Sequence, residues 1–303
     1  MQTVQSFALL DPSSCGEDLA YNAQRFSALA PQFCSDCADY HIRGALHRYT
    51  GRKIFDRPEL IRLAGKVIAD KAARPEQTIE IVITGSADTA MLATSAHAAA
   101  ALGAETLKRC RFTVLDRCMT PLLVCEEFAA RHGLAFHGQQ ADLMSAAQPC
   151  AADLIVVHSL FRFIPHASQA ALLGRIGSWL APRGRLIFSN RVLLDDDGAE
   201  ARGQIRKRTV ANKAAEEALA EGRLRLAESA EVTLGRLERA IADDQELPGE
   251  FRSLDEVKAV IRQSGLAEIS VENLAWEFAI APGDLMRRRR VHAVLGRADQ
   301  RHG

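Results

Sequence analysis

The stretch Ile79-Glu80-Ile81-Val82-Ile83-Thr84-Gly85-Ser86-Ala87-Asp88-Thr89 decides the fold of this chain. It opens as a short run rich in β-branched residues and breaks at a turn of small residues. An alanine-rich segment over 89–107 then predicts a long helix, and Arg111-Phe112-Thr113-Val114-Leu115-Asp116 predicts a second apolar strand. Strand, helix and strand in that order form the repeating unit of a parallel sheet, with helices covering both faces.

Working outward, the alternation continues. Thr120 to His132 reads as a helix closed by Gly133. Leu134-Ala135-Phe136-His137 is a third strand, and Ala152 to His158 a fourth. A helix over 168–180, the turn Ala181-Pro182-Arg183-Gly184 and a fifth strand over 185–189 follow. Past Asp195-Asp196-Asp197-Gly198 the composition turns to Ala, Glu, Arg and Leu, which predicts one or two long helices up to about 243. Ser253 with Glu256 reads as a capping box opening a helix to Gln263. Strands six (266–271) and seven (290–295) complete the set, the seventh expected to be antiparallel. Upstream, Leu60, Leu63, Ala64, Val67 and Ile68 recur at helical spacing, with Asp56 as N-cap and Pro58 in the first turn. The expected organisation is a helical cap over 1–75 and an α/β domain over 76–303, with a helical insertion at 199–250.

Composition narrows the function classes. The chain has 303 residues, 48% apolar and 25% charged, as in an ordinary globular protein. Lys and Arg number 38, equal to Asp and Glu, which argues against a nucleic-acid or anionic-membrane partner. Seven cysteines, an odd number, fit reduced thiols better than a disulfide framework. No apolar run reaches the roughly 20 residues of a membrane span, and the first residues lack a basic leader with an apolar core. The expected location is cytoplasmic.

Ligands of open α/β sheets bind beyond the carboxyl ends of the strands. Four such ends carry suggestive residues here. Thr84, Gly85 and Ser86 form a small-residue turn before a helix N-terminus, which suits an anionic group or is simply a tight turn. Asp116 suits the two hydroxyls of a ribose; capping the next helix is the equally weighted alternative. Asp142 suits an adenine amino group or is a solvated loop acid. His158 and Ser159 close the fourth strand; His158 is either a general base or a polar residue of the pocket wall, and the second is favoured.

These stretches together resemble the class I S-adenosylmethionine-dependent methyltransferases. The turn Ile81 to Thr89, the strand end Val114-Leu115-Asp116, the segment Asp153 to Phe163 and the turn Leu180-Ala181-Pro182-Arg183-Gly184-Arg185-Leu186 carry the resemblance. It covers about 55–195 and 250–297, and it departs from the family in a loop with one glycine. The resemblance implies a doubly wound, Rossmann-like, seven-stranded, mostly parallel sheet. It implies S-adenosyl-L-methionine as cofactor, with Gly85 and its neighbours at the amino-acid end. Asp116 would hold the ribose with Arg117 and Met119 beside it. Asp142 and Leu143 would flank adenine, and His158 and Ser159 would lie near the methyl donor.

The N-terminal region adds a polar cluster. Cys34-x-x-Cys37 with His41 is half of a zinc or iron site, but no further ligand pair is evident, so no metal is expected. If 40–49 is helical, Tyr40, Arg43 and His47 share a face. Tyr40, His41 and His47 are then candidate bases or orienters. Tyr40 and Arg43, with Arg191, are candidate contacts for an anionic or hydroxylated acceptor. A solvated helix face with a buried tyrosine is the equal alternative. Arg287 to Arg290 read as a solvated lead-in to the seventh strand. The expected function is methyl transfer to a small molecule, with a homodimer through the insertion as a candidate assembly. Two alternatives stand: a non-catalytic binding protein of the same fold, and a nicotinamide-dependent oxidoreductase.

Overall fold

The computed structural model describes residues 8–34, 36–51, 54–74, 77–193, 212–242, 247–281 and 284–298. Its strands are β1 (Ile79–Thr84), β2 (Cys110–Asp116), β3 (Ala135–Gln140), β4 (Ala152–His158), β5 (Leu180–Val192), β6 (Leu266–Ala281) and β7 (Asp284–Arg297). They form one sheet in the order β3-β2-β1-β4-β5-β7-β6. β1 to β5 pair in parallel, and β7 runs antiparallel to both β5 and β6. The order reverses between β1 and β4, which places the ligand crevice at their carboxyl ends. It also departs from the 3-2-1-4-5-6 order of dinucleotide-binding enzymes, which counts against the oxidoreductase reading.

Burial on both faces explains the continuous apolar runs. Ile81 and Ile83 face one core with Leu154 and Val156; Val82 faces the other with Ile155 and Val157. The first core is closed by α3 (Arg57–Ala72), α4 (Ala90–Ala100) and α6 (Met119–His132); α5 (Ala104–Arg109) leads into β2. The second core is closed by α7 (His166–Gly177) and α9 (Leu254–Gln263). The long helix expected over 89–107 is in fact two, because Gly103 takes φ +115 between α4 and α5. Gly133 ends α6 in the left-handed region at φ +64, as read from the sequence. At α9, Glu256 N–H donates to Ser253 Oγ (3.1 Å), while the Glu256 carboxylate accepts from Arg252 N–H (2.7 Å) rather than from the cap residue.

A third core lies outside the sheet. α1 (Leu19–Phe33) and α2 (Ala38–Tyr49) contribute Phe26, Ile42 and Leu46. The helical residues 212–220 contribute Ala215 and Ala218, and α8 (Ala230–Ala242) contributes Leu237. The insertion therefore packs on the N-terminal helices, and the two form one cap. Residues 194–211, where the insertion begins, lie outside the described residues. Among the described residues no helix is long and apolar enough to cross a membrane.

Candidate active site

The loop after β1 is built around one glycine. Gly85 sits at φ +64, and a Cβ there would lie 2.6 Å from Leu160 Cδ1. Both conditions disfavour a side chain. The remaining loop residues are held by hydrogen bonds. Ser86 Oγ donates to Asp88 O (2.6 Å), and Asp88 Oδ1 accepts from Ala90 N–H (2.8 Å), capping α4. Thr89 Oγ1 donates to Glu17 Oε1 (2.6 Å). Glu17 is buried and also accepts from Arg48 and Arg57, so the cap is fastened to the loop through one carboxylate.

Beyond the carboxyl ends of β1, β2 and β3 lies a cavity of about 690 Å³. Gly85, Asp116, Arg117, Asp142, Leu143 and Leu160 line its sheet side, and Tyr40, His41 and Arg43 its cap side. That volume falls in the range that encloses cofactor-sized ligands. Asp116 lines the cavity, and its Oδ1 accepts from Cys118 N–H (2.7 Å), so it shapes the loop before α6, whose N-cap is Cys118. Burial pushes its carboxyl up to about 6, against the backbone and thiol hydrogen bonds of Cys118 and the charges of His41 and Arg117. Asp142 Oδ1 accepts from Met144 N–H (2.9 Å), which shapes the turn carrying Leu143 into the wall.

A chamber of about 170 Å³ adjoins this cavity and shares Tyr40, His41, Arg43, Gly85, Ala87 and Phe163 with it. Its own lining includes Arg48, Ser86, Met91, His158, Ser159 and Arg162. Tyr40 meets Phe163 edge to face at 5.8 Å, joining the cap to the segment after β4. Ser159 adopts φ +56, and its hydroxyl accepts from Arg290.

Behind the chamber lies a buried charge cluster that sequence reasoning missed. Asp56 Oδ2 accepts from Ser189 Oγ (2.8 Å), His292 Nε2 (3.1 Å) and Arg290 Nη1 (3.2 Å). Burial alone would raise this carboxyl, but the buried Arg290 guanidinium holds it well below the usual carboxylate range. Asp56 stands at the N-cap of α3 as read, yet its side chain makes no capping bond. Arg290 is correspondingly no solvated strand lead-in: its side chain is buried against Asp56. His158 Nε2 lies 2.8 Å from Arg290 Nη1 and 3.1 Å from Asp56 Oδ2. One ring nitrogen cannot donate to the acid and accept from the guanidinium at once. A guanidinium cannot accept, so at the shorter contact Nε2 accepts from Arg290. Burial lowers the His158 pKa, so the ring is neutral near pH 7.

Several sequence candidates do not reach either cavity. His47 instead meets Asn212 Oδ1 (2.9 Å), and Arg191 meets Glu250 (3.5 Å), a residue that also pairs with Arg162. Thr84 is buried in the sheet, and Met119 packs against the first core. His41 lines the cavity, but its ring is buried among the thiols of Cys34, Cys37 and Cys118. That position does not suit a general base, and the thiols crowd it. Arg162, which was missed, gave no local signal, since its carboxylate partner lies far away in sequence.

No protein-family model and no curated protein sequence matches the chain. Among solved structures, an O-methyltransferase family protein from Burkholderia thailandensis aligns at 13% identity over 88% of this chain and 62% of its own, with a TM-score of 0.50. This chain thus spans less than two thirds of that protein's length. The mitomycin 7-O-methyltransferase MmcR aligns at 16% identity over 96% of this chain and 66% of its own, TM-score 0.48. The N-methyltransferase NodS from Bradyrhizobium japonicum, solved with S-adenosyl-L-homocysteine, aligns at 11% identity over 91% of this chain and 99% of its own, TM-score 0.47. At these identities the likeness is one of fold.

Proposed function

On the fold of the class I S-adenosylmethionine-dependent methyltransferases, we propose that this chain transfers a methyl group from S-adenosyl-L-methionine to a small anionic or hydroxylated acceptor. One observation carries the reading. The partly buried carboxylate of Asp116, the tight loop at Gly85 and the wall formed by Asp142 and Leu143 converge on one cofactor-sized cavity at the strand-order reversal.

The residues present fit the cofactor. Asp116 would accept from the ribose hydroxyls, Leu143 and Leu160 would enclose the adenine, and the loop at Gly85 would receive the amino-acid end. Arg117 lines the same end of the cavity as Asp116. The cofactor, when bound, supplies an activated methyl group on a sulfonium. The chain's own task is to align an acceptor with that carbon and to exclude water.

The adjoining chamber serves the acceptor in this reading. Arg43, Arg48 and Arg162 line it with Asp88 among them, and Tyr40 and Phe163 give it an aromatic wall. His158 lines it as a neutral imidazole whose Nε2 accepts from Arg290, which leaves Nδ1–H as the ring's donor for orienting an acceptor oxygen. Ser159 Oγ is fixed by Arg290, and Ser86 Oγ by the Asp88 carbonyl. Both lie on the chamber wall as candidate orienting groups.

Calorimetry with S-adenosyl-L-methionine and its demethylated product tests the cofactor half. Binding with one site per chain is expected, weakened at least tenfold by Asp116→Ala. No heat of binding at high micromolar ligand would overturn the reading.

A further inference from the structure

We propose that Cys34, Cys37, His41 and Cys118 form a closed zinc site that rivets the helical cap to the wall of the cavity. The sequence offers half of it, Cys34-x-x-Cys37-x-x-x-His41, and the absence of a second pair argued against a metal. The fold supplies the missing ligand. Cys118, 81 positions beyond Cys37, places its Sγ 3.1 Å from Cys37 Sγ. The three sulfur atoms and one imidazole nitrogen all lie within 4.8 Å of one another.

Local structure explains the convergence. Cys34 is the C-cap of α1, Cys37 the N-cap of α2, and Cys118 the N-cap of α6. His41 stands one turn after Cys37 on α2, so both project to the same side. Tetrahedral zinc, with bonds of about 2.3 Å to sulfur and 2.0–2.1 Å to nitrogen, holds its ligand atoms roughly 3.5–3.8 Å apart. The four groups need only small rotations to meet that spacing.

A second observation points to a ligand. Neither ring nitrogen of His41 meets an oxygen or nitrogen partner, although the residue is only 5% exposed; only thiols surround it. A thiol is a weak partner for a buried imidazole; a metal bond satisfies one nitrogen fully. Cys34 Sγ also lies 3.1 Å from Thr120 Oγ1, a donor suited to a metal-bound thiolate. Three soft sulfurs and one imidazole select zinc over harder cations. On binding, the three thiols release their protons to solvent and the imidazole binds as the neutral base. Four protein ligands leave no open position, so the ion is structural and activates no substrate.

Its place gives it a consequence. Cys118 follows Asp116 by two residues, and its backbone N–H donates to the Asp116 carboxylate. A metal on Cys118 therefore fixes the loop that positions Asp116 and ties it to α2, which carries Tyr40 and Arg43. The inference rests on these four residues alone. A chain that binds zinc but not S-adenosyl-L-homocysteine would leave it standing.

The test uses the full chain purified under reducing conditions without added metal. Elemental analysis should find one zinc per chain. Replacement by cobalt(II) should give tetrahedral d–d bands with thiolate-to-cobalt charge transfer, and Cys118→Ser should lose the zinc and shift the bands. If Cys118→Ser does not fold, the cobalt spectrum of the unmodified chain decides alone. A metal-free chain that also gives no thiolate–cobalt band would overturn the proposal. So would a Cys37–Cys118 disulfide in protein kept under the same reducing conditions, or a Cys118→Ser variant with an unchanged cobalt spectrum.

Discussion

Leu160 Cδ1 occupies the space that a Cβ on Gly85 would need, at 2.6 Å. The segment after β4 thereby closes on the loop after β1 and forms the floor of the cavity. Gly85→Ala should lose at least tenfold in affinity for S-adenosyl-L-homocysteine and about 1–3 kcal/mol in stability, through the clash and the positive φ. In Gly85→Ala/Leu160→Ala the clash is gone and only the backbone cost remains. Calorimetry and thermal melts of both variants separate the two effects; no recovery in the double variant would contradict the contact as the cause.

Asp116 sets a pH dependence whose sign follows from its surroundings. Its carboxyl is raised from the usual 3.8 to about 6, so the charged form costs the fold stability above pH 6, and the cost vanishes below pH 4. Asp116→Asn should therefore stabilise the cofactor-free chain at pH 8, by up to about 3 kcal/mol. The gain should disappear by pH 4, and cofactor affinity should fall. Denaturant titrations at the two pH values measure it. A variant that is less stable at pH 8 would contradict the burial argument.

Asp56 behaves in the opposite sense. Its carboxyl is held well below the ordinary value, so it stabilises the fold at neutral pH and loses that contribution only in strong acid. Asp56→Asn leaves Arg290 buried beside two histidines with no counter-charge, and should cost about 3–5 kcal/mol at pH 7. Chemical unfolding of the variant checks this. A loss under about 1 kcal/mol would mean that the cluster is solvated.

Glu17 joins Arg48, Arg57 and Thr89 beneath the cap. Glu17→Gln removes the one charge that both guanidiniums share there. Hydrogen exchange should rise in 19–49 before it rises in β1 or β4. Uniform loss of protection across the chain would contradict a specific role in fastening the cap.

The sheet was legible because its strands are buried on both faces and so stand out as unbroken apolar runs between turns. Each expected strand appears, and β6 and β7 extend further as a hairpin. The place of Asp116 and of the Gly85 turn on the cavity wall was legible because it follows from strand-end position. What stayed hidden depends on partners far away in sequence. Asp56 reads as a local cap until Arg290 and His292 arrive from β7, 234 and 236 positions on. Cys34 and Cys37 read as an incomplete pair until α6 delivers Cys118. His47 and Tyr40 share a helix, but the packing of 212–220 draws His47 toward Asn212 while Tyr40 reaches the cavity. Spacing alone does not separate those two fates.

The most direct measurement is a crystal structure of the chain grown with S-adenosyl-L-homocysteine. The account predicts both ribose hydroxyls within hydrogen-bond distance of the Asp116 carboxylate, with adenine between Leu143 and Leu160 and the sulfur toward His158. A ligand held elsewhere, or a cavity that stays empty at saturating ligand, would contradict it.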